Sequence, residues 1–254
     1  DLIKKNSLKY KSEIVPVDSE HFSIFQLLKE HKKSEIKNFF ITASGGPFLN
    51  LKKNKFKNIK PKDALSHPRW SMGKKISVDS ATLMNKILEL IEAQKLFNIP
   101  EKKLKIVIHP ESLVHAVIEL KNGLTKFIYH DTSMIVPIAN AIFNNNLLIE
   151  DYLKSKNHKL KNLTFQEVKK STFPIIRIKK RINEFPSTSI IINASNEILV
   201  DHFLQKKIPF SSISKIIMII LNDRNYRKYA IRKPKNIDQI NEIDLWAKKA
   251  TLKI

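Results

Sequence analysis

A chain of 254 residues with 42% hydrophobic side chains can bury one large or two smaller cores, which excludes disorder throughout. Its 46 Lys and Arg against 24 Asp and Glu leave a formal charge of +22, and the absence of cysteine excludes a disulfide scaffold, a zinc ribbon, an iron–sulfur centre and a thiolate nucleophile. Only 4 glycines occur, where average usage of about 7% would give roughly 18, and they form neither G-x-G-x-x-G nor a Walker loop.

In chain order, residues 1–9 read as the end of a helix and Ile14–Val17 as a short strand that ends in Asp18-Ser19-Glu20-His21. Ile24–Leu28 continues as a helix, and Phe39–Ala43 is a second short buried strand. Ser44-Gly45-Gly46-Pro47 breaks the chain, and Phe48–Lys75 reads as a long loop with one helical turn. Ser80–Phe97 is the clearest helix. Leu104–Ile108, Val114–Leu120 and Leu124–His130 read as strands, the last two joined by a hairpin at Asn122-Gly123. From Leu163 onward Gln166–Asn183, Ala194–Gln205, Ser211–Asn222 and Ile237–Lys249 carry helical spacing. The expected fold is α/β (α+β): a catalytic domain with a mixed sheet over residues 1–160, holding a lid at about 45–76, then a smaller all-α domain over 161–254. No apolar run approaches the roughly 18 residues of a membrane span and no signal core is present, so a soluble, cytoplasmic protein without a membrane partner is expected.

Asp18 and Glu20, two apart at a strand end, would leave the same face about 7 Å apart. Hard divalent ions such as Mg²⁺ and Mn²⁺ take such oxygen ligands, although a D-x-E taken alone reads more simply as a solvated acidic loop. On the helix from Ser80, Thr82, Asn85, Lys86, Glu89 and Glu92 fall within about 120° of arc, opposite Leu83, Met84, Ile87, Leu88, Leu90 and Ile91. Ser80 at the helix start would favour an anion; taken alone, it is an N-cap beside a salt-bridged solvent face. The Ser44-Gly45-Gly46 turn can bring backbone N–H groups close to an anion. Trp70 and Met72, large apolar groups in a loop, suggest a lid over a ligand or docking on a neighbouring subunit. His109 and His115 read as core histidines and are not assigned to metal.

The basic residues are scattered through every segment, without any recognisable nucleic-acid-binding pattern, and read as solvated surface lysines. Nucleic acid is not the expected partner.

Taken in order, Val17-Asp18-Ser19-Glu20-His21, Ser44-Gly45-Gly46-Pro47-Phe48, the run from His67-Pro68-Arg69-Trp70-Ser71-Met72-Gly73 to Asp79-Ser80-Ala81-Thr82, and Met84-Asn85-Lys86 closely resemble the 1-deoxy-D-xylulose 5-phosphate reductoisomerase family. His109-Pro110-Glu111-Ser112, Met134 with Pro137-Ile138, and Asn193-Ala194-Ser195-Asn196-Glu197 extend the resemblance to about Leu221. It implies a homodimer whose subunit has a nucleotide-binding Rossmann domain, a catalytic domain and a helical domain, this chain carrying the last two and being inactive alone. It implies a divalent metal, Mn²⁺, Mg²⁺ or Co²⁺, on Asp18, Glu20 and Glu89. A phosphorylated sugar would be held by Ser44, Ser80, Asn85 and Lys86 with His67 nearby, Ser19 touching the sugar backbone and Trp70 covering it. Catalysis is then expected to rest on Asp18, Glu20, Glu89, Ser19 and His67, with Glu92 in support. Met72, Gly73 and Met134 would lie on the NADPH side, most of the cofactor being bound by a domain absent from this chain. The implied reaction is the metal- and NADPH-dependent rearrangement and reduction of 1-deoxy-D-xylulose 5-phosphate to 2-C-methyl-D-erythritol 4-phosphate, in non-mevalonate isoprenoid synthesis. Two departures stand out: Ile87 replaces the family's usual glycine, and Thr132-Ser133-Met134-Ile135 replaces Pro-Asp-Met-Arg. The alternatives are a basic nucleic-acid-binding module without catalysis and a metal-dependent phosphosugar isomerase that needs no nicotinamide.

Overall fold

Strand β1 (Ile36–Ala43) keeps Ile36, Phe39 and Ile41 at 1% exposure or less, and a strand covered on both faces belongs inside a sheet. It pairs in parallel with β2 (Leu104–Ile108) and antiparallel with β3 (Val114–Leu120). β4 (Thr125–Tyr129) extends the β3 side and the short β5 (Gln166–Glu167) the β2 side, giving the mixed order β4-β3-β1-β2-β5. The expected hairpin is present: Gly123 takes φ +91°, a left-handed conformation that glycine adopts without strain. The computed structural model describes residues 2–68, 70, 72–144, 146 and 162–254.

Contacts group the chain into two compact units, one of residues 3–44 and 92–168 and one of 45–91 and 169–254. The sheet belongs to the first, together with α1 (Leu2–Tyr10) and α2 (Ser19–Glu30), which lays Phe22, Ile24 and Leu27 in the core against β3 and β4. α6 (Ile135–Phe143) also lies in the first unit. The second unit holds α3 (Pro61–Leu65), α4 (Lys74–Thr82) and a bundle of α7 (Thr188–Leu204), α8 (Ser212–Ile220), α9 (Tyr226–Ala230) and α10 (Ile237–Thr251). Helix α5 (Met84–Phe97) starts in the second unit and ends in the first, the division falling between Ile91 and Glu92. The domain boundary expected near residue 160 lies outside the described residues. No helix among the described residues is long and apolar enough to cross a membrane.

Several expectations need correction. Ile14–Val17 is not a strand; the chain there is irregular, and Asp18 caps a helix instead. The helix expected over Ser80–Phe97 is two helices, broken at Leu83, whose φ of +71° is left-handed. Thr82 Oγ1 accepts the Met84 N–H at 3.2 Å and so starts α5 afresh. The expected loop 48–75 carries a 3-10 helix at Lys53–Asn58 as well as α3, and its first half is pinned by aromatic packing: Phe48 meets Phe210 edge-on at 5.1 Å and Phe56 at 6.2 Å. Gln166–Asn183 holds β5 and a 3-10 helix (Pro174–Arg181); buried Ile175 and Ile178, three apart, match its three residues per turn.

Candidate functional site

In the first unit, Asp18 ends the irregular segment with φ −61° and ψ 138°, and its Oδ1 accepts the N–H groups of Glu20 and His21, each at 3.1 Å. This is N-cap chemistry: orphan N–H groups of the first turn bind a carboxylate, and the helix dipole favours the anion. Glu20, in the first turn of α2 and only 9% exposed, accepts the Ser19 hydroxyl at 2.5 Å. Asp18 and Glu20 are therefore gathered by a helix N-terminus, not by the face of a strand. His21, buried beside them, has Nδ1 3.2 Å from Asp18 Oδ1 and 3.8 Å from Glu92 Oε2. Its ring also meets Phe97 at 6.3 Å, so the second half of α5 lies alongside the first turn of α2.

In the second unit, Glu89 is 4% exposed. Lys86 Nζ lies 2.9 and 2.8 Å from its two oxygens, and Asn85 donates its amide to Oε1. Asn85, Lys86 and Glu89 thus share one side of α5, as their spacing predicts, while Met84, Ile87 and Leu90 are fully buried on the other. Ile87, in place of the family's glycine, fills core and displaces no polar group of this cluster. Ser80 departs from expectation: it lies in the last turn of α4, its carbonyl accepting from Leu83 N at 3.1 Å, and not at a helix N-terminus. Gly46 packs on that same turn, for a Cβ there would stand 3.1 Å from the Ser80 carbonyl oxygen and 3.2 Å from Ala81 Cα. Ser44 directly follows β1, at the close of the first unit.

His67 follows α3 and its Nδ1 accepts the Trp70 N–H at 2.9 Å. Burial, and then the charge of Lys86, lower its pKa to about 4, so the ring is neutral at pH 7. Trp70 and Met72 are half-buried, Gly73 is exposed at the start of α4, and Arg69 and Ser71 lie outside the described residues. Met134, 39% exposed, precedes α6 in the first unit. His109 and His115 are core histidines, as expected: His109 is fully buried, with Nε2 accepting from Leu113 N, and His115 is stacked on His130. Two features have no sequence signature: the His115–His130 stack, and a buried hydrogen bond from Asn196 to Asp79 in the second unit.

Sequence comparison matches residues 14–97 to the family described as 1-deoxy-D-xylulose 5-phosphate reductoisomerase C-terminal domain, and residues 131–250 to the DXP reductoisomerase C-terminal domain. The 1-deoxy-D-xylulose 5-phosphate reductoisomerase of Pelagibacter ubique is 48% identical over 248 residues, covering 96% of this chain and 63% of the relative. Its counterpart from Sulfurihydrogenibium sp. is 42% identical over 226 residues, 87% of this chain and 59% of the relative. The chain therefore spans less than two thirds of the length of these relatives. Among solved structures, a DOX-P reductoisomerase in complex with NADPH, fosmidomycin and magnesium superposes with a TM-score of 0.90 at 33% identity, covering 99% of this chain and 66% of that one. The Zymomonas mobilis enzyme in complex with NADPH gives 0.85 at 31% identity, covering 99% and 64%. The chain belongs to the 1-deoxy-D-xylulose 5-phosphate reductoisomerase family, of which it carries the C-terminal domains.

Proposed function

We propose that this chain supplies the cation- and phosphosugar-binding part of a reductoisomerase that rearranges and reduces 1-deoxy-D-xylulose 5-phosphate to 2-C-methyl-D-erythritol 4-phosphate. In this reading Asp18, Glu20 and Glu89 each offer one oxygen to a single divalent ion. The observation that carries it is the register of α5 against α2. His21 sits between Asp18 and Glu92, and Glu89 precedes Glu92 by three residues, about 4.5 Å back along the same side of the same unbroken helix.

The donor set suits a hard ion, being all carboxylate oxygen. Glu20 and Glu89 are buried carboxyl groups, and a bound cation would favour their ionised form. A magnesium- and NADPH-bound relative accords with this choice. When bound, such an ion polarises adjacent carbonyl and hydroxyl oxygens of a substrate. Lys86 neutralises Glu89 in this structure; once Glu89 has another cation, that ammonium is available to a phosphate group, with Asn85, Ser80 and Ser44 as further donors. His67, a neutral ring whose Nδ1 accepts from Trp70, would contribute to the same phosphate site. Ser19 contacts the sugar chain, Trp70 and Met72 exclude water, and Met72, Gly73 and Met134 face the nicotinamide. NADPH itself is held mainly by residues outside this sequence, and the working assembly is a homodimer.

The test is Mn²⁺ binding followed by electron spin resonance. Asp18→Asn or Glu89→Gln is expected to weaken it more than tenfold while the circular dichroism of the fold is kept, about the loss of one charged ligand. Unchanged affinity in both variants removes the assignment. Steeply salt-dependent RNA binding that survives both substitutions would favour a nucleic-acid module instead.

A further inference from the structure

His130, the residue after β4, is 8% exposed and lies flat on His115 of β3, with ring centroids 3.9 Å apart and planes 13° from parallel. Phe22 of α2 meets it edge-on at 6.2 Å. The ring is thereby held against the first turn of α2, which carries Asp18 and Glu20, and Glu20 is close enough for its charge to act on the imidazole. Nδ1 stands 2.8 Å from the Asp131 carbonyl oxygen. A carbonyl only accepts, so Nδ1 carries the proton. Burial holds the ring below the ordinary histidine pKa, which leaves Nε2 as a lone pair. That atom is buried and has no hydrogen-bond partner among the described residues. A rigid, desolvated acceptor within reach of the Glu20 charge lacks only a donor, and an ionised carboxylate cannot provide one.

We propose that His130 Nε2 accepts a hydrogen bond from a hydroxyl group of the bound phosphosugar, which makes His130 a substrate-binding residue. The proposal rests on the reading of Asp18 and Glu20 as part of a cation and sugar site. The stack on His115 fixes the ring plane, the Asp131 carbonyl fixes the tautomer, and the remaining lone pair selects an O–H group. Inorganic phosphate offers a phosphate group but no sugar hydroxyl for Nε2, so the two ligands separate the contributions.

The test uses the Mn²⁺-loaded chain and titrates 1-deoxy-D-xylulose 5-phosphate and inorganic phosphate by calorimetry. His130→Phe keeps an aromatic ring on His115 without an acceptor, whereas His130→Gln offers an amide oxygen in its place. The expected result is about a tenfold loss of phosphosugar affinity in His130→Phe, the scale of one buried hydrogen bond, substantially recovered in His130→Gln. Mn²⁺ and inorganic phosphate affinities are expected to change by less than about twofold. Unchanged phosphosugar binding in a folded His130→Phe overturns the proposal, as does an equal loss for all three ligands, which would mark a merely structural ring. Failure of the unsubstituted chain to bind Mn²⁺ is a different result: it sinks the cation site, and this inference with it.

Discussion

Asn196, wholly buried on α7, donates its side-chain amide to Asp79 Oδ1 on α4 at 2.7 Å, joining two helices that stand 117 residues apart in sequence. Lys75 holds the other Asp79 oxygen, also at 2.7 Å. Asp79 is 2% exposed, and burial raises its pKa even though Lys75 and Asn196 both act to lower it. Ser80, a candidate phosphate ligand, is its chain neighbour, so the pair that anchors α4 also sets the position of that hydroxyl.

Asn196→Ala is expected to cost about 2 kcal/mol in urea unfolding, because it takes a donor from a buried carboxyl group. The pH dependence has a definite sign. A carboxyl whose folded pKa lies above its unfolded value keeps its proton longer in the folded state, so stability falls as pH rises from about 3.8 through the folded pKa. Asp79→Asn is expected to flatten that fall, and unfolding curves that stay parallel to the parent's between pH 3.5 and 7 would refute the assignment, about the range over which such a group titrates.

Asp18 caps α2 and is also a proposed cation ligand, and the two can be separated. Asp18→Ala removes the cap of α2 and is expected to lower stability by about 1 kcal/mol, whereas Asp18→Asn keeps an oxygen acceptor and is expected to leave stability within about 0.5 kcal/mol. Both are expected to weaken Mn²⁺. A thermal melt of Asp18→Asn matching that of Asp18→Ala would show that charge, and not capping geometry, holds the helix start.

Gly46 and Gly73 differ in their surroundings. Gly46 has φ +60° and backbone atoms at 3.1 and 3.2 Å from a would-be Cβ, neither of which can swing away. Gly46→Ala is expected to cost about 2 kcal/mol and to shift the Ser80 turn. Gly73 has φ −62° and open space around the same position, so Gly73→Ala is expected to be neutral or stabilising by up to about 1 kcal/mol. Differential scanning fluorimetry of the pair checks both.

Lys86 and Glu89 are a buried ion pair with side chains 12% and 5% exposed. Lys86→Met is expected to destabilise by about 3 kcal/mol, since it takes away a charge partner and leaves the carboxylate buried. If Glu89 is a cation ligand, added Mn²⁺ is expected to raise the Tm of this variant more than that of the parent. An equal or smaller rise would argue that the two cations do not compete for the same oxygens.

His67 is expected to titrate near pH 4 in a histidine NMR experiment. Its depressed folded pKa means that its contribution to stability is complete above about pH 6.5 and is lost as pH falls toward 4. Lys86→Met is expected to raise the midpoint, yet not to 6.5, because burial is the larger cause. A midpoint unmoved by that substitution would place the ammonium away from the ring.

Strands β1 to β4 were legible because β-branched and aromatic residues alternate or cluster between plain turn signals, as in Phe39–Ala43 and at Asn122-Gly123, whereas β5 fell in a segment read as helical. The polar side of α5 was legible from helical spacing, which brings Asn85, Lys86 and Glu89 together without reference to any other element. Asp18-Ser19-Glu20 misled: an acid two residues before another reads as a strand face, yet the same spacing also suits an N-cap followed by a first-turn acid. The break at Leu83 was hidden because Leu83 and Met84 are both buried, so the apolar stripe runs through it without interruption.

Composition and spacing were enough to determine which residues could carry charge on one side of an element and which could fill core, because those properties depend on neighbours within a turn or two of chain. Tertiary packing alone decided that Asp79 would meet Asn196, that His130 would lie on His115 with one nitrogen unanswered among the described residues, and that Asp18 would end a loop by capping a helix. Those outcomes depend on burial, which shifts proton affinities and leaves polar atoms in want of partners, and burial is a property of the folded whole.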